Sequence, residues 1–226
     1  MMQKLFIYLF LLWSLSCSNK KENRVVKMVK PKQKTTLKKQ KIKRNKDSLN
    51  NKNTVAYFTE YGKQNPETLV KFKTRLGDIV IKLFQDTPLH RANFVFLTKK
   101  GFFNTTCFHR VVPNFIAQGG NSESMKTVAF KNKYKNYKLP PEFRKNRKHL
   151  SGIIAAARDW DDNPNKLSTP FEFYITVKNE PHLNFEHTVF GKIIQGMDVV
   201  DKITKLKTGK DEWPLNDVFI QAEIIK

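Results

Sequence analysis

The 226 residues suit one domain with extensions rather than a string of domains. The formal net charge of +22 is spread unevenly: residues 18–53 carry 14 Lys and Arg against two acids, more than half of the excess. Of the two cysteines, Cys17 and Cys107, the first ends an apolar leader and the second would stand alone in the mature domain, so no internal disulfide is expected to staple the fold.

The chain opens "MMQKLFIYLFLLWSLSC". Lys4 supplies a short positive region, Leu5 to Trp13 an unbroken apolar core, and small residues follow, the order of an export signal over 1–16. Nine apolar residues fall well short of the roughly 20 that span a bilayer. The small residue before Cys17 resembles the lipobox of bacterial lipoproteins, whose cysteine is lipidated and becomes the new N-terminus. Ser14 departs from that pattern, which usually has Leu there.

From Ser18 to Asn53 there is no Gly, no aromatic residue and little large apolar surface. Such a stretch cannot offset its ordering entropy, and we read 17–53 as the lipidation cysteine followed by a basic, self-repelling tether. It could bind an anionic surface or serve as a solvated spacer. An exported chain meets no nucleic acid, so a nucleic-acid partner is not expected.

Residues 54–68 read as transitional, with the folded domain over 69–226. "LVKFKTRLGDIVIKLF" alternates apolar and polar on both sides of Gly77-Asp78, which predicts two strands joined by a two-residue turn there. "DTPLHRANFVFLTKKG" predicts a helix with Thr87 as N-cap, Pro88 at its first position and Gly101 beyond its end. Strands are expected at 110–118, 152–157, 171–177 and 188–193, a second helix at 196–206 and a closing strand from Asn216. The sum is a mainly β domain, a closed barrel capped by two helices. Cys107 has no His or second Cys at ligand spacing and reads as a structural thiol; nothing argues for a metal or a cofactor.

"FHRVVPNFIAQGG" (108–120) puts Arg110 among apolar neighbours. A guanidinium there must be paired, exposed or reserved for a ligand, because burying it unpartnered is costly. This segment resembles the signature of the cyclophilins, peptidyl-prolyl cis–trans isomerases built on an eight-stranded barrel. "TPLHRANFVFL", "GIIAAAR", "FEFYIT" and "HTVFGKIIQGMDVVDKI" resemble further family segments in the same order.

The implied reaction is rotation about an X–Pro bond, opposed by amide resonance with a barrier of roughly 18–20 kcal/mol. It needs no covalent step, only tighter binding of the twisted amide, whose prolyl nitrogen gains a localised lone pair. A donor that keeps its proton suits that task, and the resemblance assigns it to Arg110. It also implies a proline slot of Phe115, Ile116, Tyr174, Leu183 and His187. His109 and Gln118 stand beside the arginine, Gln118 to orient it or hold the substrate carbonyl. Ala157 and Arg158 would take backbone hydrogen bonds from the peptide. His182 replaces an aromatic at the rim, and Glu172 replaces a family Gln. We expect Glu172 to lie near Arg110, where it could pair with it, and Glu172→Gln to raise turnover of neutral peptides. The implied protein is an exported, lipid-anchored monomer acting on proline-containing clients. The alternatives are a catalytically weak peptide-binding or chaperone module at the cell envelope, or a polyanion-binding surface protein.

Overall fold

The structure is a computed structural model that describes residues 49–226; the expected export signal, Cys17 and the tether up to Ser48 lie outside the described residues. Apolar alternation produces the first hairpin, β1 (Leu69–Thr74) and β2 (Gly77–Leu83), in antiparallel register with Thr74 opposite Gly77. The turn residues are therefore Arg75 and Leu76, two positions ahead of the expected Gly77-Asp78. Gly77 follows the turn at φ +130°, a conformation closed to other residues, and marks the turn without forming its centre.

Helix α2 (Pro88–Lys99), the second helix after α1 (Thr54–Gln64), carries the predicted Pro88, but its capping differs. Thr87 occupies the N-cap position without a side-chain cap bond. The free amides of Leu89 and His90 instead donate to the carboxylate of Glu142, at 3.1 and 2.9 Å. A distant anion at a helix N-terminus satisfies donors that the local sequence leaves open. Every side chain from Leu89 to Thr98 is buried, because α2 lies inside the curve of the sheet. Phe94 touches Phe72 of β1, Phe103, and Phe173 and Phe190 of later strands, with ring centroids 4.7–5.9 Å apart. Burial of each such ring is worth about 1.5–3 kcal/mol, and this cluster is the centre of the core.

Two helices were not anticipated. The segment read as transitional contains α1 (Thr54–Gln64), which seats Phe58 and Tyr61 on Phe96 of α2 at 5.8 and 5.4 Å. Arg91 of α2 donates to the carbonyls of Gly62, Asn65 and Glu67 and so caps its C-terminal end. The packing reaches back to Asn51, whose N–H donates to the carbonyl of Asn136. Helix α3 (Met125–Tyr134) starts at Ser124, whose hydroxyl accepts from the N–H of Lys126.

The expected strand at 110–118 is two strands, β3 (Cys107–Val112) and β4 (Ile116–Asn121), turning at Pro113–Phe115. β5 (Ile153–Ala156), β6 (Phe173–Thr176), β7 (Val189–Gln195), α4 (Met197–Thr204) and β8 (Gln221–Ile225) follow. All pairings are antiparallel, in the order β3-β4-β6-β5-β7-β2-β1-β8. The sheet is an open half-barrel with four α-helices among the described residues, not the closed barrel with two that was expected. Its edge strands β3 and β8 are not paired; only the residues just ahead of β8 reach the start of β3, where Phe108 donates to Val218 and Thr106 accepts from Ile220. The chain between α4 and β8 accounts for the gap. It folds back on itself through Gly209 N–H to Trp213 and Leu215 N–H to Lys207, and covers the edge of β3 through Val111 N–H to Glu212. A loop protects that edge where a strand would have closed it.

Candidate functional site

Strand register builds the site as a row. Arg110 on β3 faces Gln118 on β4, Gln118 faces Tyr174 on β6, and Tyr174 faces Ala155 on β5. A second apolar cluster, Ile116, Ile153, Ala155, Tyr174, Leu183 and Val189, packs separately from the helix-facing core. Over it opens a cleft of about 270 Å³. Arg110 lines it together with the apolar side chains Phe115, Ile116, Tyr174 and Leu183. Ala157, Arg158, His182 and His187 line it too, with His187 in edge contact with the Tyr174 ring at 5.3 Å. Nine residues chosen from sequence thus share one cavity. Trp160, which was not foreseen, is the tenth; it is 63% exposed and lies 4.0 Å from the Arg158 guanidinium.

Three chosen residues do not line the cleft. His109 is buried, with its ring 5.6 Å from Trp213 and its Nε2 3.6 Å from Glu172. Gln118 does not orient Arg110; its amide donates to Glu172 at 3.3 Å. Glu172 does not pair with Arg110 either, which removes the basis for expecting Glu172→Gln to release activity. Lys131, on the unforeseen α3, donates to its other oxygen at 2.8 Å. Burial alone would raise the Glu172 pKa, but contacts with His109 and Lys131 outweigh that and hold it at about 2. The carboxylate that Arg110 does meet is Glu212, with Nε donating to Oε2 at 2.6 Å.

The N–H of Ala157 donates to the carbonyl of Glu172 and its carbonyl accepts from Thr169. Ala157 is therefore already engaged in the fold. The side chain of Arg158 is held by Glu186, through its backbone carbonyl at 2.9 Å and its carboxylate at 2.8 Å. His182 stacks on Phe115 with centroids 6.0 Å apart, so the replaced rim aromatic still offers a flat face.

His149 was also missed and supports the floor. Its Nδ1 donates to Asn184 at 3.2 Å, leaving Nε2 to accept the Tyr174 hydroxyl at 2.9 Å. The hydroxyl that Tyr174 carries is therefore satisfied beneath the slot. Burial pushes the His149 pKa down to about 4, and burial likewise lowers that of His187, whose Nδ1 donates to Ala156 at 3.0 Å. Each ring thus binds a proton less readily in the folded chain than in the unfolded one, where an imidazole titrates near pH 6.5. Stability is therefore expected to fall as pH drops from about 6.5 towards 4, with His149 alone costing on the order of 2 kcal/mol by pH 5. Urea titrations across this range check it. In His149→Gln the decline is shallower by about one proton, and an unchanged slope refutes the assignment.

Other clusters offer less. Ser168, His90 and Glu142 are linked in the order of a nucleophilic triad, with Nε2 3.0 Å from Oγ and Nδ1 2.7 Å from the carboxylate. All three are buried away from the cleft, and Glu142 is spent on capping α2. A groove of about 450 Å³ between α1 and α2 is larger than the cleft, but its one guanidinium, Arg91, is consumed by backbone carbonyls. The Cys107 thiol is buried against the Asn121 carbonyl, and burial raises its pKa to about 12. Among the described residues no group of three or more His, Cys, Asp or Glu side chains could hold a metal ion.

The family model for cyclophilin type peptidyl-prolyl cis-trans isomerases matches residues 69–223. A peptidyl-prolyl cis-trans isomerase of Acinetobacter baylyi is 40% identical over 148 residues, covering 62% of this chain and 74% of that protein. Peptidyl-prolyl cis-trans isomerase B of Escherichia coli is 37% identical over 168 residues, 68% of this chain and 97% of that protein. Among solved structures, a cyclophilin type isomerase of Cryptosporidium parvum aligns with a TM-score of 0.61 at 27% identity, covering 71% of this chain and 98% of that one. The same protein has been solved in the presence of the dipeptide Ala-Pro.

Proposed function

Because this chain belongs to the cyclophilin-type peptidyl-prolyl cis–trans isomerases, we propose that it rotates X–Pro bonds in the cleft beside Arg110, on exported polypeptides. One observation carries the site assignment: of the two guanidinium groups lining the cleft with its apolar side chains, only that of Arg110 has Nη groups with no hydrogen bond among the described residues. The prolyl ring enters between Phe115, Ile116, Tyr174 and Leu183, with His187 at the end of the slot. Arg110 donates towards the prolyl nitrogen as the amide leaves planarity, which favours the twisted state over either planar isomer. The N–H and C=O of Arg158 have no hydrogen-bond partner among the described residues, and they hold the peptide backbone in place of Ala157. No proton is transferred and no bond is broken.

The site assignment is tested by exchange NMR of a short Ala-Pro peptide with the whole chain and with Arg110→Ala. Exchange in the parent that collapses in the variant supports it, whereas a variant as fast as the parent refutes it.

The cellular address rests on residues 1–17, whose charge, apolar core and cysteine suit export and lipid anchoring. Bacterial lipoproteins usually carry more than one acyl chain, which anchors firmly, and the tether of 18–53 then gives the domain reach. Labelled palmitate entering the parent but not Cys17→Ser supports the anchor; equal labelling, or none in either, overturns it.

A further inference from the structure

We propose that Glu212 is a positioning residue for isomerisation: it fixes Arg110 by its Nε, so that both Nη groups are left to address the cleft. The inference rests on reading Arg110 as the electrostatic centre. Nε donates to Oε2 of Glu212 at 2.6 Å, and neither Nη makes a hydrogen bond among the described residues.

The backbone delivers that carboxylate to the site. The Glu212 carbonyl accepts from the N–H of Val111, next to Arg110, so the residue is pinned to β3 by main chain as well as side chain. Asp211 and Glu212 both take positive φ, +50° and +59°, a conformation that non-glycine residues hold only when their surroundings impose it. Those surroundings are visible. Gly209 N–H bonds Trp213, Leu215 N–H bonds Lys207, and the Trp213 indole donates to Asp217 at 2.9 Å.

Stability does not account for this arrangement. Arg110 is 38% exposed and Glu212 46% exposed, and a pair so open to water adds little to folding. Nor does another group hold the guanidinium, because Gln118 donates to Glu172 instead. A flexible arginine loses much rotamer freedom in reaching one pose. A carboxylate at Nε removes that freedom before substrate arrives and leaves the donors of the Nη edge unspent.

The test uses the whole chain with Glu212→Ala, Glu212→Gln and Arg110→Ala, in exchange NMR at several concentrations of an Ala-Pro peptide. Glu212→Ala is expected to lower kcat on the order of tenfold with KM within about twofold, because a pre-set donor is lost and the slot is not. Glu212→Gln is expected to keep most of the rate, since its amide oxygen still accepts from Nε. The Arg110 Nε–H resonance should shift in the Ala variant and stay near its parent position in the Gln variant. Adding Glu212→Ala to Arg110→Ala should cost nothing further, as two changes acting through one group do. If Arg110→Ala is inactive while Glu212→Ala matches the parent, the positioning role fails and the site assignment stands. A faster Glu212→Ala also overturns it, by making the contact a restraint. An active Arg110→Ala overturns the site assignment and the positioning role together.

Discussion

Arg110→Lys is expected to lower kcat/KM for a short Ala-Pro peptide by about 10²–10³-fold, although it keeps the charge. Removing a single pre-set donor from a developing charge costs that much in enzymes whose chemistry rests on such a donor, equivalent to about 3–4 kcal/mol of barrier. In the proposed site the guanidinium divides its work: Nε is held by Glu212, and the Nη groups are left for the prolyl nitrogen. An ammonium is one point of charge on a flexible stem, so Lys either pairs with Glu212 or reaches for the peptide. Folding should be indifferent, because the lost pair is open to water and worth less than about 1 kcal/mol. Exchange NMR and a urea midpoint on the same sample separate the two effects. A Lys variant with more than a third of the parent rate shows that charge alone suffices and sinks the argument for the fork.

The parts of this site that were legible in the sequence are those built by strand register and local motif. Arg110, Phe115 and Ile116 lie within one short segment, and Tyr174, Leu183 and His187 follow on an adjacent strand and its exit, so one ordered set of motifs located the slot. Partners from loops left no periodic trace. Glu212 is 102 residues from Arg110 and is brought to it by a turn with two non-glycine residues at positive φ. Glu172 was expected near Arg110 because it replaces a family Gln, and its partner Lys131 lies on α3, which was not foreseen. A signal for α3 existed in Ser124 as N-cap ahead of "MKTVAFKNKY". For α1 the signal was the spacing of Thr54, Phe58 and Tyr61 on one face, masked by Gly62 and the Asn65-Pro66 pair that ends the helix. The barrel's openness was not legible at all. Whether the last strand closes on β3 depends on how the sixteen residues between α4 and β8 fold, and alternation within strands says nothing about that.

Gly120→Ala is expected to be the most damaging small substitution near the site, costing about 3–5 kcal/mol and lowering Tm by roughly 6–20 °C. Gly120 lies on β4 at φ +95°, where an L side chain is strained whatever the space. Space is lacking too: a Cβ would sit 2.1 Å from the Phe171 carbonyl oxygen and 3.0 Å from the Glu172 Cα. Both are backbone atoms, and they lead directly into β6. Relief therefore requires β4 to move away from β6, against the ladder that sets Gln118 opposite Tyr174. The same shift would loosen Glu172 from Gln118 and Tyr174 from the row that carries Arg110. Gly209→Ala is the matched control. A Cβ there meets nothing nearer than Leu215 at 3.7 Å, and its midpoint should stay within about 0.5 kcal/mol of the parent. Thermal and urea unfolding of the two variants decide the matter. If Gly120→Ala unfolds within about 1 kcal/mol of the parent, β4 and β6 are not held by that contact, and the row across the sheet needs another explanation.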